Sequence, residues 1–151
     1  MNHLRTIAAL TLLWAGPALA EYALPEQDEG VQQDDRRGAQ VDLDLRFHDH
    51  TGKVVRLGDY FTDDKPVLLT LNYYQCKMLC TEQLNGLVKS LRTLDWTAGD
   101  RFNLVTASID FREGLPLSSG KHETYLGEYD RDGAEWSFLT GTHESIKSLT
   151  E

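Results

Sequence analysis

Apolar and polar positions change rhythm several times along the chain, and each change marks an element. Val41-Asp42-Leu43-Asp44-Leu45 alternates with period two, which predicts a strand with one buried face. Residues 49–53, with Gly52 inside, predict a turn, and residues 54–57 return as the second arm of a β-hairpin. Pro66 then opens an unbroken apolar run, Val67-Leu68-Leu69-Thr70-Leu71, which suits a strand covered on both faces. Over residues 80–94, Leu84, Leu87, Val88, Leu91 and Leu94 recur at spacings of three and four, one apolar stripe along a helix. A second buried strand is predicted over residues 102–109. Strand, helix, strand in this order makes a βαβ unit, because two parallel neighbours need a crossover between them. A helix over 117–129, a short strand over 136–139 and a helix from 143 to 149 complete the reading, with no internal repeat and no low-complexity tract.

Composition narrows the class. The chain has 151 residues, enough for one domain, and with 40% apolar and 26% charged residues it can build a core. Its formal net charge of −9 argues against a nucleic-acid partner, since a phosphate backbone asks for lysine and arginine in excess. The first twenty residues have the three parts of a secretory signal: Arg5, the apolar run 6–15, and Ala18-Leu19-Ala20 after Pro17. That run is far short of the ~20 residues that span a bilayer. The expectation is a cleaved signal peptide over 1–20, a periplasmic protein and no membrane span after cleavage. Residues 21–40 are polar and acidic, with Glu26, Asp28, Glu29, Asp34 and Asp35, and predict a flexible leader ahead of the domain at 41–151.

Only two cysteines occur, Cys76 and Cys80, so any sulfur chemistry belongs to one pair. They fall where a buried strand hands over to a helix, the edge at which open α/β sheets place reactive groups. A helix amino terminus favours thiolate over thiol, and Lys77 between the two pushes the same way. As a mere staple the pair is a poor one: a ring this small gains about 2 kcal/mol, against ~4.7 for a 100-residue loop. At i and i+4 on a helical turn, both sulfurs lie on one face about 6 Å apart along the axis. Such a pair can close as a disulfide, exchange disulfides with a partner, or hold one soft metal ion such as copper(I).

Four segments carry a resemblance: Leu71-Asn72-Tyr73-Tyr74-Gln75-Cys76-Lys77-Met78-Leu79-Cys80, Leu84-Asn85-Gly86-Leu87, Ser108-Ile109-Asp110 and Phe138-Leu139-Thr140-Gly141. In this order they resemble the Sco/SenC family of copper-binding cytochrome c oxidase assembly proteins, over residues 41–151. The resemblance implies a thioredoxin-like α/β fold, copper as cofactor, Cys76 and Cys80 as thiolate ligands, and Asp110 as an acidic neighbour of the site; the place of the pair at a helix start beside Lys77 separately predicts a reversible Cys76–Cys80 disulfide. The partner it implies is the copper-site subunit of cytochrome c oxidase or another copper protein. Two departures stand out: Lys77 where the family usually has proline after the first cysteine, and Phe111 where proline often follows Ser-Ile-Asp. The family's third ligand, a histidine, and a following strand pair and helix correspond to positions beyond Glu151, so the fold is expected here without its C-terminal strands and helix. On that expectation, strand 102–109 and the 84–94 stripe keep exposed apolar area.

The histidines in hand, His48 and His50 at the hairpin turn, His122 and His143, are expected on solvated surfaces. Tyr73, Tyr74 and Trp136 are expected in the core. The functions to be weighed are a copper chaperone, a thiol–disulfide oxidoreductase using Cys76 and Cys80 as catalytic residues, and an inactive fragment.

Overall fold

The computed structural model describes residues 35–62 and 64–151; the expected signal peptide and residues 21–34 of the leader lie outside the described residues. A compact unit runs from Ala39 to Glu151. Its elements are β1 (Arg46–His48), β2 (Val54–Arg56), a 3-10 turn (Leu57–Tyr60), β3 (Val67–Asn72), α1 (Leu79–Leu91), β4 (Asn103–Ser108), α2 (Leu115–Tyr129), β5 (Ser137–Gly141) and α3 (His143–Thr150).

Five strands form one sheet in the order β2-β1-β5-β4-β3. β3, β4 and β5 are parallel neighbours joined by α1 and α2, and the β1–β2 hairpin adds antiparallel to β5. Alternation along β4 explains why the sheet is covered on both sides. Leu104 faces a cluster with Leu84, Val88 and Leu91 of α1 and Tyr125 and Tyr129 of α2. Val105 and Ala107 face the opposite cluster, with Phe47, Leu57 and Ile146. The result is an α/β fold in which α1 and α2 cover one face and α3, with Leu57 of the 3-10 turn, packs on the other.

Three expectations are corrected by this arrangement. The 41–45 alternation is not a strand: Asp42 Oδ1 accepts from the Asp44 N–H at 2.9 Å, and the Leu43 and Leu45 carbonyls accept from the N–H groups of Gly58 and Leu57. The chain there follows the 3-10 turn, and strand pairing starts at Arg46. β3 is an edge strand rather than one covered on both faces, so Leu68 is left 38% exposed. Conversely, β4 and the α1 stripe do not keep exposed apolar area: Leu104, Val105, Ala107, Leu84, Val88 and Leu91 are all buried. β5, α2 and α3 supply the cover, and of the stripe only Leu94, beyond the end of α1, is exposed.

The histidines divide. His48 and His143 are exposed, as expected. His50 and His122 are half-buried and stack face to face, with ring centroids 3.6 Å apart and planes within 6°. The hairpin turn is folded onto α2 there, since the Ser119 hydroxyl donates to the His50 carbonyl at 2.6 Å. Burial is the main cause that lowers the proton affinity of both rings, and each ring's second influence is a neighbouring charge: Asp49 opposes the effect at His50, and His50 adds to it at His122. The unfolded chain therefore binds more protons than the native one as the pH falls through the ordinary histidine value of ~6.5. Stability is expected to hold above that value and to decline below it, and a His50→Gln, His122→Gln double variant is expected to flatten the decline. Thermal unfolding between pH 5 and 8 measures it, and an unchanged slope in the double variant contradicts the assignment.

Candidate functional site

The cysteines stand at the carboxyl edge of β3. The ladder to β4 ends at Asn72, and the chain then turns, with the Cys76 N–H donating to the Tyr73 carbonyl at 3.2 Å. Met78 is the N-cap of α1, and Cys80 is the second residue of the helix. The expectation of both sulfurs on one helical face is thus corrected. Cys76 belongs to the loop, because the helix does not begin until Leu79. The loop nevertheless brings the two free, partly exposed thiols near enough for each to shift the other's proton affinity.

Several contacts fix this loop. The Tyr74 hydroxyl lies 2.9 Å from the Thr106 carbonyl and 2.7 Å from the Leu139 carbonyl, beneath β4 and β5. Burial pushes its proton affinity far above the ordinary phenol value, so it stays a donor. The backbone N–H groups of Tyr74 and Gln75 donate to the two carboxyl oxygens of Glu113, each at 2.8 Å. The Ser108 hydroxyl donates to the same carboxyl at 2.6 Å, and Glu113 is only 5% exposed. On the helix side, the Asn72 amide donates to the Cys80 carbonyl at 3.1 Å and the Thr81 hydroxyl to the Cys76 carbonyl at 2.9 Å. Of the aromatics expected in the core, Tyr74 and Trp136 are buried, whereas Tyr73 is 45% exposed beside the cysteines in sequence.

The two thiols are made unlike. At Cys76, the N–H of Cys80 is the leading cause of a lowered proton affinity, followed by the N–H of Met78 and the Cys80 thiol. These are the unpaired donors that every helix start presents, here aimed at sulfur. Burial is the main cause that raises Cys80, with the nearby charges of Cys76 and Glu113 adding to it. The environment thus favours the thiolate form at Cys76 more than at Cys80.

Other polar groups near this edge are already engaged. Arg112 grips both oxygens of Asp110, with bonds of 2.6–3.1 Å, and this guanidinium holds the carboxyl down to about 2. The exposed Tyr73 and Phe111 line a cleft of about 420 Å³ with Asp110, Arg112 and His143, and the His143 ring meets Phe111 edge-on at 5.1 Å. Among the described residues, no three histidine, cysteine, aspartate or glutamate side chains cluster as a metal site. The residue that sequence reasoning missed is Glu113. Its only sign is an acidic residue three positions after Asp110, and nothing in the sequence tells a buried loop anchor from a solvated carboxylate.

Comparison with known proteins places the architecture. No protein-family model and no curated protein matches the chain. Solved structures do. One, of a protein from Aquifex aeolicus VF5 provisionally assigned to electron transfer, has 25% identity and a TM-score of 0.57, over 72% of this chain and 61% of that one. ScoI of Arabidopsis thaliana with copper bound has 20% identity and a TM-score of 0.56, over 70% of this chain and 61% of that one. ScoI of Bradyrhizobium japonicum with copper bound has 23% identity and a TM-score of 0.52, over 73% and 64%. The chain thus spans less than two thirds of the length of each of these structures.

Glu113→Ala strips the acceptor from two backbone N–H groups and a buried hydroxyl, a change expected to cost about 1–3 kcal/mol for each donor that stays buried and unpaired. Glu113→Gln keeps one good acceptor and sets an amide NH2 against the other N–H, so it falls between Ala and the parent. Chemical denaturation ranks the three, and equal stability of all three contradicts an anchoring role. The sheet order, the helical layers and the thiol-bearing loop at the edge of β3 together give this chain the thioredoxin-like α/β fold of the Sco structures.

Proposed function

We propose that this chain is a Sco/SenC-type protein that binds copper(I) through Cys76 and Cys80 and hands it on by ligand exchange. The observation that carries this reading is the pair itself: two free, partly exposed thiols that influence one another's proton affinity, on a loop anchored from both sides. Adjacent thiolates suit a soft cation such as copper(I), and the copper-loaded ScoI structures share the fold. The resemblance of the cysteine segment to the Sco/SenC family points in the same direction, and makes the dinuclear copper site of cytochrome c oxidase the proposed destination. The signal-like residues 1–20 support export to the periplasm. No helix among the described residues is long and apolar enough to cross a membrane.

The inequality of the thiols gives the transfer a direction. Cys76, whose proton is the more easily lost, captures the cation first, and Cys80 joins as it releases its own proton. When a thiolate of the acceptor protein enters the copper shell, Cys80 is the sulfur that more readily takes a proton back, so it leaves first and Cys76 follows. Lys77, exposed between the two, adds a positive charge beside the loop that favours departure of the cation over its retention.

The same inequality supports a second reading, thiol–disulfide exchange with Cys76 and Cys80 as catalytic residues. The Cys76 thiolate attacks a partner disulfide, forms a mixed disulfide and releases one partner thiolate. Cys80, once deprotonated, attacks the Cys76 sulfur, which forms the Cys76–Cys80 disulfide and releases the second partner thiolate. The pair gives up two electrons, and the partner disulfide takes them.

Copper titration separates the readings. The reduced chain is expected to take up one copper(I), and Cys76→Ser and Cys80→Ser are each expected to abolish stoichiometric binding. Uptake no greater than that of the double serine variant overturns the copper reading. In that event Cys80→Ser should trap a mixed disulfide with a disulfide substrate, while Cys76→Ser should not react.

A further inference from the structure

We infer that the His50–His122 stack is an acid-released latch: with both rings neutral it holds the hairpin turn on α2, and with both protonated it lets the turn go while the sheet stays folded. The turn reaches α2 through side chains and backbone alike. The His50 and His122 rings lie face to face with centroids 3.6 Å apart, the Ser119 hydroxyl donates to the His50 carbonyl at 2.6 Å, and Gly52 packs against the Leu115 side chain. Position 52 has a φ of +86°, and a Cβ there would stand 3.2 Å from a Leu115 methyl, so this last contact asks for glycine. Leu115 opens α2 two positions after Glu113, and the turn therefore lies against the helix start that follows the loop anchor.

Neutral imidazoles stack as other flat rings do, and two imidazolium rings repel. A first proton on His50 or His122 leaves the stack with a single charge. A second sets like charges in rings 3.6 Å apart in a half-buried place, where water screens them poorly. His50 carries a further penalty. Its Nδ1 is buried without a hydrogen-bond partner among the described residues, which a neutral ring tolerates by keeping its proton on Nε2. An imidazolium has N–H groups at both nitrogens, so protonation leaves a buried donor unpaired. The charged groups that act on the rings are Asp49 on the turn and Glu123 on α2, and from β5 the neighbour is Phe138, which does not titrate. The Asp49 carboxyl is already taken up by the Thr51 N–H and hydroxyl and by the Lys53 N–H. The docked turn therefore binds protons less readily than the free one, and docking weakens as the pH falls through about 6.5. The sheet is held by two core clusters that include neither ring, which keeps the release local.

NMR of the full chain tests the latch. At about pH 7.5, NOEs are expected between the His50 and His122 rings and from Gly52 to the Leu115 methyls. At about pH 5 both sets are expected to be lost and to return on neutralisation, with the loss tracking the titration of the two rings, while NOEs from β4 to β5 persist. His122→Phe, which keeps a flat ring and removes one of the two charges, is expected to move the loss to lower pH. Turn NOEs that survive protonation of both rings overturn the inference. So does their loss together with the β4–β5 NOEs, which is unfolding, and so does their loss at an unchanged pH in His122→Phe. Should that variant not fold, the titration of the parent decides alone.

Discussion

The carboxyl group of Glu113 receives the N–H groups of Tyr74 and Gln75 where β3 has run out of ladder partners, and it receives the Ser108 hydroxyl at the end of β4. Leaving such donors buried and unpaired costs about 1–3 kcal/mol each, so a backbone that quits the sheet beneath a protein surface must find acceptors quickly. Glu113 provides two at once. The Tyr74 hydroxyl, seated against carbonyls of β4 and β5, holds the next point of the loop. Between them these contacts fix where the chain reverses, and the reversal delivers Cys76 in front of the first turn of α1.

From that placement the chemistry follows. Helix starts have N–H groups to spare, and here Cys80 and Met78 spend theirs on the Cys76 sulfur. Burial raises the proton affinity of Cys80, and the negative charge of Glu113 adds to it. The anchor thus does two jobs with one charge, positioning the first sulfur and raising the proton affinity of the second. A pair so divided suits the proposed uptake and release of a soft cation, and the same division suits attack and resolution in disulfide exchange.

Much of this was legible in the sequence. The strand–helix–strand unit around the cysteines was readable because the apolar run of β3 and the period-3.6 stripe of α1 are long and uninterrupted, and β3, α1 and β4 lie within a few residues of the predicted spans. Positions 41–45 misled because an Asx turn at Asp42 and Asp44 imitates strand alternation. β3 misled in another way: its run of five apolar or near-apolar residues fits a central strand, yet the sheet order places it at an edge. Cys76 misled because a spacing of four is the same whether or not both residues are helical. The His50–His122 stack and the Glu113 anchor were out of reach for a common reason. Each joins segments far apart in the chain through side chains that, read alone, look like solvated surface.

The central claim, that the loop lowers the proton affinity of Cys76 and raises that of Cys80, is tested most directly by a proton titration of each sulfur. In the reduced chain labelled with carbon-13 at the cysteine Cβ positions, the account predicts that the Cys76 resonance shifts at lower pH than the Cys80 resonance, with the two assigned by single serine variants. A common midpoint, or Cys80 titrating first, would contradict it.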